Sequence, residues 1–283
     1  MKQFKRVAAI HDISGFGKCS LTVALPVLSG MGIETSVIPT AVLSTHTGGF
    51  TGFTYRDLTE DMLPIAQHWK SLGLHFDALY TGYVGSFEQI AILEEIFGLL
   101  ADQDTLIYVD PVMGDGGKLY QNFTPAFPGE MKRLVKRADV IVPNMTEASL
   151  MLDVPYREGP YTEEYIAGML RDLSALGAEN VVLTGVYLDE QRLGAACYQK
   201  ANDRMDILLS ERIPQNYHGT GDVFASAHLG AMMRGFGLKD ATRIAVDFTV
   251  GCIRRSLARG TDPRYGVDFE NGFEELIGAI NQK

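Results

Sequence analysis

Short runs of apolar and β-branched residues recur along the chain, and most are apolar throughout rather than alternating with polar positions. Continuous runs of this kind are typical of parallel strands whose two faces are both covered. They predict six strands, at Val7–Ile10, Thr35–Leu43, Ala78–Gly82, Leu106–Val109, Val140–Val142 and Val181–Leu183.

Segments with helical periodicity separate these strands. Leu21, Leu25 and Leu28 follow i, i+4, i+7 spacing, a similar pattern runs through residues 91–96, and the segment 163–176 precedes Gly177, a residue type that often ends helices. Alternation of strands and helices predicts a doubly wound α/β fold with helices on both faces of the sheet.

The pattern changes after Thr184. Gly194–Gln199 and Met205–Ser210 are short strand-like segments separated by four residues, which predicts an antiparallel hairpin at the sheet edge. We find no linker, repeat or low-complexity tract, so we expect one domain over residues 1–283. Three helices are predicted to end the chain, at about Asp222–Arg234, Lys239–Leu257 and Glu270–Ile280.

Five polar, glycine-containing segments fall just after predicted strands or before predicted helices. In open α/β sheets, ligands bind beyond the carboxyl ends of the strands, so these segments are expected to form one site. They are Asp12–Gly17, Ser44–Gly49, Asp110–Gly117, Asn144–Glu147 and Gly219–Asp222.

Charge and cysteine content narrow the classes of partner. The formal net charge of −10 disfavours nucleic acid and anionic membranes as partners, and an anionic small substrate would need a locally positive or metal-containing site. Cys19, Cys197 and Cys252 are far apart and form no metal-binding pair. No window approaches the roughly 20 apolar residues of a membrane span. We therefore expect a cytoplasmic protein that acts on small molecules.

Gly219-Thr220-Gly221-Asp222 directly precedes a predicted helix. Glycines allow backbone N–H groups to approach an anion, and the helix N-terminus adds partial positive charge. Asp222 would then lie in the first turn, where it could accept the proton of an attacking hydroxyl. The alternative is an ordinary capping aspartate after a glycine turn.

Three further motifs accompany this tetrapeptide, and the four together resemble the ribokinase superfamily. Residues 110–115 (DPVMGD) and 143–147 (PNMTE) are similar to motifs of its vitamin-kinase branch, and residues 44–48 (STHTG) are similar to the ring-binding segment of pyridoxal kinases. Within the superfamily the chain resembles the vitamin B6 kinases, which are related to hydroxymethylpyrimidine kinases. The resemblance implies a three-layer α/β/α fold with a mostly parallel sheet, ATP as co-substrate, Mg²⁺ and a homodimer.

The resemblance also implies roles for individual residues. Asp222 would be the catalytic base, and the backbone amides of Gly219, Thr220 and Gly221 would form the anion hole. Residues 114–118 would form a mobile loop beside the phosphates. The remaining ATP-side roles would fall to Asp110 and Glu147, acting on Mg²⁺ directly or through water, to Asn144, fixing that acidic corner, and to Thr184 and Lys118, contacting the phosphates.

On the substrate side, His46, Thr47 and Tyr83 match positions that contact the ring in relatives. Asp12 departs from the pyridoxal kinase pattern, which usually has serine there, and is similar to hydroxymethylpyrimidine kinases. An acidic residue could accept from an amino group or a protonated ring nitrogen, which favours pyridoxamine or an aminopyrimidine. Val142 stands where many relatives have a threonine near a monovalent cation, so a site for that ion is left open.

The resemblance therefore predicts transfer of the ATP γ-phosphoryl group to the hydroxymethyl group of pyridoxal, pyridoxine or pyridoxamine, with hydroxymethylpyrimidine as the alternative substrate. A nucleotide-binding oxidoreductase is a weaker reading, because Gly15–Ser20 lacks the third glycine of the dinucleotide fingerprint. The stretch from Asp12 to Ser20 also fails the P-loop pattern, which would need glycine at Asp12 and serine or threonine at Cys19. A non-catalytic vitamin-binding protein would be expected to lose the carboxylates that this chain retains.

Overall fold

The computed structural model describes residues 4–282. Its main sheet contains the six strands predicted from the apolar runs, the two strands of the predicted hairpin and one short edge strand that was not predicted. The strands are β1 (Arg6–Ser14), β2 (Glu34–Leu43), β3 (Tyr55–Asp57), β4 (Ala78–Thr81), β5 (Leu106–Val109), β6 (Gly114–Asp115), β7 (Lys118–Leu119), β8 (Val140–Ile141), β9 (Asn180–Asp189), β10 (Arg192–Gln199) and β11 (Arg204–Glu211).

Nine of these strands form one sheet in the order β11-β10-β9-β8-β5-β4-β1-β2-β3. The six central strands, from β9 to β2, pair in parallel. Antiparallel strands flank them on both sides: β10 and β11 at one edge, β3 at the other. The predicted edge hairpin is thus confirmed. β6 and β7 form a separate two-stranded hairpin.

Helices connect the parallel strands. None of those within residues 4–282 is long and apolar enough to cross a membrane. They are α1 (Leu21–Gly30), α2 (Thr59–Ser71), α3 (Phe87–Leu100), α4 (Phe127–Val135), α5 (Met145–Leu152), α6 (Glu163–Ala175), α7 (Thr220–Met233), α8 (Leu238–Ala258) and α9 (Phe273–Ile280).

The sheet separates two hydrophobic cores. Alternate residues of β1 enter different cores: Ala8 and Ile10 pack with buried residues of α2 to α6, whereas Val7 and Ala9 pack with those of α1, α7, α8 and α9. Helices therefore cover both faces of the sheet, which confirms the predicted three-layer α/β/α class. Both faces of the central strands are buried, which is why their sequences are continuously apolar.

Several local predictions were incomplete. Thr184 was expected to follow its strand, but it lies inside β9, which continues to Asp189 and turns back through Glu190 and Gln191 into β10. Helices α2, α4 and α5 were not predicted. In α1, Leu21 and Leu28 are buried as the spacing suggested, but Leu25 is 40% exposed and Ala24 takes the inward position.

Candidate active site

The residues singled out in the sequence meet beyond the carboxyl ends of β1, β5 and β8 and at the start of α7. Gly219 precedes α7 with a positive φ of 75°. A Cβ atom added there would lie 2.0 Å from the Lys18 carbonyl oxygen, so the turn requires glycine for two independent reasons. This close approach packs the start of α7 against the turn between β1 and α1.

Gly221 has a different environment. It lies in the first turn of α7, and a Cβ atom added there would meet no heavy atom of the protein within 4 Å. Neither backbone conformation nor packing therefore demands glycine at this position. The open space lies in front of a helix N-terminus, where backbone N–H groups and the helix dipole favour a bound anion. The anion hole expected at this segment remains a prediction, with which this open space is compatible.

Asp222 is half-buried in the first turn of α7. The pKa of its carboxyl group is raised to about 7, chiefly by burial; a hydrogen bond from the Ser20 backbone amide opposes this shift, and the negative charge of Asp12 adds to it. A base whose pKa lies near neutral pH can accept a proton and release it again during turnover. Asp222 thus combines the position and the proton affinity expected of a general base.

Asp110 follows β5 and is 6% exposed. Burial raises the pKa of its carboxyl group well above the usual value, and the charges of Glu147 and Asp222 raise it further. Its carboxylate accepts no hydrogen bond from any residue between 4 and 282. A buried, unpaired carboxylate beside two others is stabilised in its charged form by a nearby cation, so this corner fits a hard metal ion.

Glu147 lies in the first turn of α5 and is tied to the backbone through both oxygens. Oε2 accepts from Asn144 N at 2.8 Å and Oε1 from Met113 N at 3.1 Å. Asn144 Oδ1 accepts in turn from Glu147 N at 2.9 Å, which completes a capping box. Burial nevertheless raises the pKa of Glu147 to about 8. With both oxygens engaged, Glu147 would reach a metal ion more readily through water than directly.

These carboxylates do not by themselves form a closed metal site. Over residues 4–282, no group of three or more His, Cys, Asp or Glu side chains is arranged to hold a metal ion. Mg²⁺ usually keeps several waters and takes oxygens from substrate phosphates, so one or two protein carboxylates are enough. Asp110 and Glu147 fit this kind of partial ligand set.

The segment 114–118, expected to form a loop beside the phosphates, belongs to the β6–β7 hairpin. Gly116 and Gly117 both have positive φ, as a tight two-residue turn requires. Gly117 N donates to Thr146 Oγ1 at 2.9 Å, which fastens the turn to α5. Lys118 is exposed in β7, and its side chain forms no ion pair within the described part of the chain. It is therefore a free cation on the hairpin that borders the acidic corner.

Thr184 and Asn144 lie side by side because β8 and β9 are parallel. Thr184 N donates to the Pro143 carbonyl oxygen at 2.9 Å. Asn144 Nδ2 donates to the Gly114 carbonyl oxygen at 3.0 Å. The amide side chain of Asn144 therefore links the hairpin to the start of α5, as its predicted role of fixing the acidic corner requires.

Asp12 ends the regular part of β1 at a register shift and is 4% exposed. Oδ2 accepts from Ser14 Oγ at 2.8 Å and Oδ1 from Ser20 Oγ at 2.5 Å. Burial raises the pKa of the carboxyl group, and the two serine hydroxyls oppose that shift. Each oxygen thus has a fixed orientation and keeps capacity for one more donor.

The three predicted ring-contact residues differ in exposure and in how many of their polar atoms already have hydrogen-bond partners. Thr47 is exposed, and Tyr83 is half-buried, its hydroxyl accepting from Asn122 Nδ2. Burial is the main cause that raises the pKa of Tyr83 to about 12, and the negative charge of Asp12 contributes. His46 is 6% exposed, and both ring nitrogens are engaged, Nε2 with the Arg264 carbonyl oxygen and Nδ1 with Gly48 N. In this arrangement His46 shapes the segment around it.

Sequence analysis did not identify the contacts that Ser20 makes with Asp12 or that Asn122 makes with Tyr83. In the sequence, Ser20 only ends a segment that fails the P-loop pattern. It contacts Asp12 nearby in the chain and Asp222 about 200 residues away. Asn122 falls in a stretch with no recognisable motif. Neither residue leaves a periodic signal, because each acts through one side-chain contact.

Comparison with known proteins gives a consistent family assignment. The family model of phosphomethylpyrimidine kinase matches residues 25–265. A putative phosphomethylpyrimidine kinase from Bacteroides thetaiotaomicron, solved with pyridoxal, has 40% identity and a TM-score of 0.92, covering 97% of this chain and 96% of that one. Pyridoxal kinase from Lactobacillus plantarum has 31% identity and a TM-score of 0.89, with 98% of each chain covered. A pyridoxal kinase from Rubrobacter xylanophilus is 26% identical over 277 residues, which is 90% of this chain and 88% of the relative.

The two glycines of the anion hole give a paired prediction. Gly219→Ala should lower both the melting temperature and turnover, because alanine meets the Lys18 carbonyl oxygen and a positive φ. Gly221→Ala should keep or raise the melting temperature, since alanine favours a helix by up to about 1 kcal/mol, yet it should lower turnover by blocking the anion. Calorimetry and a steady-state kinase assay on both variants measure this. Full activity in Gly221→Ala would contradict an anion hole at this position.

Proposed function

Because the chain belongs to the phosphomethylpyrimidine kinase family, we propose that it transfers the γ-phosphoryl group of ATP to the hydroxymethyl group of a vitamin B6 vitamer: pyridoxal, pyridoxine or pyridoxamine. The observation that carries the proposal is Asp222, a carboxylate with a pKa of about 7 in the first turn of α7, directly after Gly219–Gly221. The pyridoxal in the Bacteroides relative and the pyridoxal kinase relatives support this choice of substrate.

The proposed mechanism uses the site's own groups in sequence. The Asp222 carboxylate accepts the proton of the substrate hydroxyl as that oxygen attacks the γ-phosphorus. The backbone amides of Gly219, Thr220 and Gly221 stabilise the negative charge that develops on the phosphoryl oxygens. Mg²⁺, when bound, neutralises phosphate charge, and Asp110 and Glu147 are the residues that would hold it. Lys118, Thr184 and Asn144 would orient the phosphates.

The ring would lie between Asp12 and Tyr83, with Thr47 at its exposed border. Asp12 also supports a second candidate, a hydroxymethylpyrimidine or hydroxymethylpyrimidine phosphate kinase, because its carboxylate could accept from an amino group on the ring. The family model that matches the chain is consistent with this alternative. A phosphorylation assay with ATP and Mg²⁺ across the three vitamers, hydroxymethylpyrimidine and its phosphate distinguishes the two functions.

Further parts of the proposal rest on the resemblance. We propose a single catalytic domain over residues 1–283, a homodimer and a cytoplasmic location. Many relatives have a threonine beside a monovalent cation at the position of Val142. The same assay, run with K⁺ and with Na⁺, tests whether this protein requires such an ion.

Asp222→Asn should lower kcat by several orders of magnitude while leaving the dissociation constant of the vitamer nearly unchanged, because the amide cannot accept the proton. In the wild type, kcat/KM should fall about tenfold per pH unit below pH 7, as the base with a pKa of about 7 becomes protonated. Rapid-quench assays and equilibrium dialysis measure these quantities. Near-normal turnover in the variant would remove Asp222 as the base.

The same substitution makes a stability prediction with a defined sign. The pKa of Asp222 is about 7 in the folded protein and 3.8 in its unperturbed state, so the folded protein loses stability as pH rises between these values. Asp222→Asn removes that loss. Its melting temperature should therefore exceed that of the wild type by more at pH 8 than at pH 4, as measured by calorimetry.

Glu147→Gln should raise the Mg²⁺ concentration needed for half-maximal activity, because it removes one negative charge from the acidic corner. Thr162→Ala is a matched control, since Thr162 caps the neighbouring helix α6 through Tyr165 N and lies outside the site. Both variants should lose some stability, but only Glu147→Gln should shift the Mg²⁺ titration. An unshifted titration would exclude Glu147 from the metal site.

Asp12→Ser should change the ratio of kcat/KM for pyridoxamine to that for pyridoxal by about tenfold in favour of pyridoxal, the scale of one polar contact to a substrate. Asp12→Asn keeps the size of the side chain but not its charge, and it should move the ratio in the same direction. If both variants keep the wild-type ratio, Asp12 does not contact the part of the ring that differs between the vitamers.

A further inference from the structure

The turn from β1 to α1 has an unusual backbone. Gly17, Lys18 and Ser20 have positive φ angles of 110°, 55° and 53°. Ser20 has a ψ of −130°, which lies outside the left-handed helical region as well. L side chains rarely adopt this conformation, whereas glycine adopts it freely. A serine held here is strained, and strain of this kind concentrates at functional sites.

The turn is clamped from outside. Lys18 Nζ pairs with Glu270 at 2.8 Å and donates to the Val267 carbonyl oxygen at 3.2 Å. A Cβ atom on Gly266 would lie 2.5 Å from the Gly17 carbonyl oxygen. Together with the close approach of Gly219 to Lys18, these contacts hold the turn in its strained form. The backbone of Ser20 is therefore determined by its surroundings and does not depend on its own side chain.

Ser20 is 6% exposed and uses each of its polar groups. Its amide donates to the Asp222 carboxylate, its hydroxyl donates to Asp12 Oδ1 at 2.5 Å, and its carbonyl oxygen accepts from Ala24 N at 2.9 Å to start α1. A serine before a helix ordinarily caps it through the side chain, but Ser20 makes no such bond. Its hydroxyl is instead directed at Asp12.

We infer that Ser20 is a positioning residue that holds the ring-reading carboxylate of Asp12 at a fixed place relative to the catalytic base Asp222. The inference rests on the proposed function, since it takes Asp12 as the group that meets the ring. Ser14 orients the second oxygen of Asp12 and Ser20 the first, and Ser20 also reaches Asp222 through its amide. The hydroxyl orients Asp12 toward the substrate, and the amide donates to Asp222.

The two roles can be separated by Ser20→Gly. Glycine keeps the amide that donates to Asp222 and accepts the positive φ without strain, so the melting temperature should stay the same or rise. Loss of the hydroxyl frees one oxygen of Asp12. The KM and dissociation constant of the preferred vitamer should rise about tenfold, the scale of one hydrogen bond to a charged group, while kcat stays within about threefold of the wild type.

Ser20→Ala is the second variant. It should raise KM to the same degree without the gain in melting temperature, because its Cβ atom keeps the strain. Asp153→Gly is the matched control: Asp153 also has a positive φ, of 56°, and it is an exposed residue at the end of α5. This control should gain stability and keep the wild-type KM and kcat.

Steady-state kinetics give the split between KM and kcat, and equilibrium dialysis with pyridoxal and pyridoxamine measures binding without turnover. A wild-type dissociation constant in both Ser20 variants would overturn the inference, as would a fall in kcat at unchanged KM. These results differ from failure of the proposed function, in which the wild type itself would phosphorylate no vitamer.

Discussion

Burial of four carboxylates at one end of the sheet is the constraint on which the candidate site depends. Asp12, Asp110, Glu147 and Asp222 come from four separate segments of the chain and meet at one end of the sheet, where burial raises the pKa of each. The protein offsets this cost locally, with serine hydroxyls at Asp12 and backbone amides at Glu147 and Asp222. Within residues 4–282 no such donor reaches Asp110, so a nearby cation would stabilise its charged form.

The layered fold could be predicted because its central strands are buried on both faces and so are apolar throughout. The elements that were missed lack such a signal. β3 has three residues, all exposed, and no hydrophobic pattern distinguishes it from a loop. α5 is buried on nearly every side, so its sequence shows no helical period. α2 contains Pro64 and begins without a side-chain cap.

Most of the candidate-site residues that sequence analysis predicted belong to short local motifs. Gly219–Asp222, Asp110 and Glu147 belong to short segments whose chemistry can be recognised from residue type and order. Ser20 could not be predicted, because its role arises from a positive φ and from contacts that only the folded chain brings together. For His46 the motif indicated a position, whereas the contact of its Nε2 with the Arg264 carbonyl oxygen depends on a turn that is distant in the sequence.

The capping box of α5 has a consequence for how this protein can change over evolution. Asn144 and Glu147 start the helix, fasten the hairpin and border the metal corner with the same few atoms. A substitution of either residue that altered metal binding would also change the contacts that start α5. Part of the selection on Asn144 and Glu147 therefore comes from folding and is independent of any reaction.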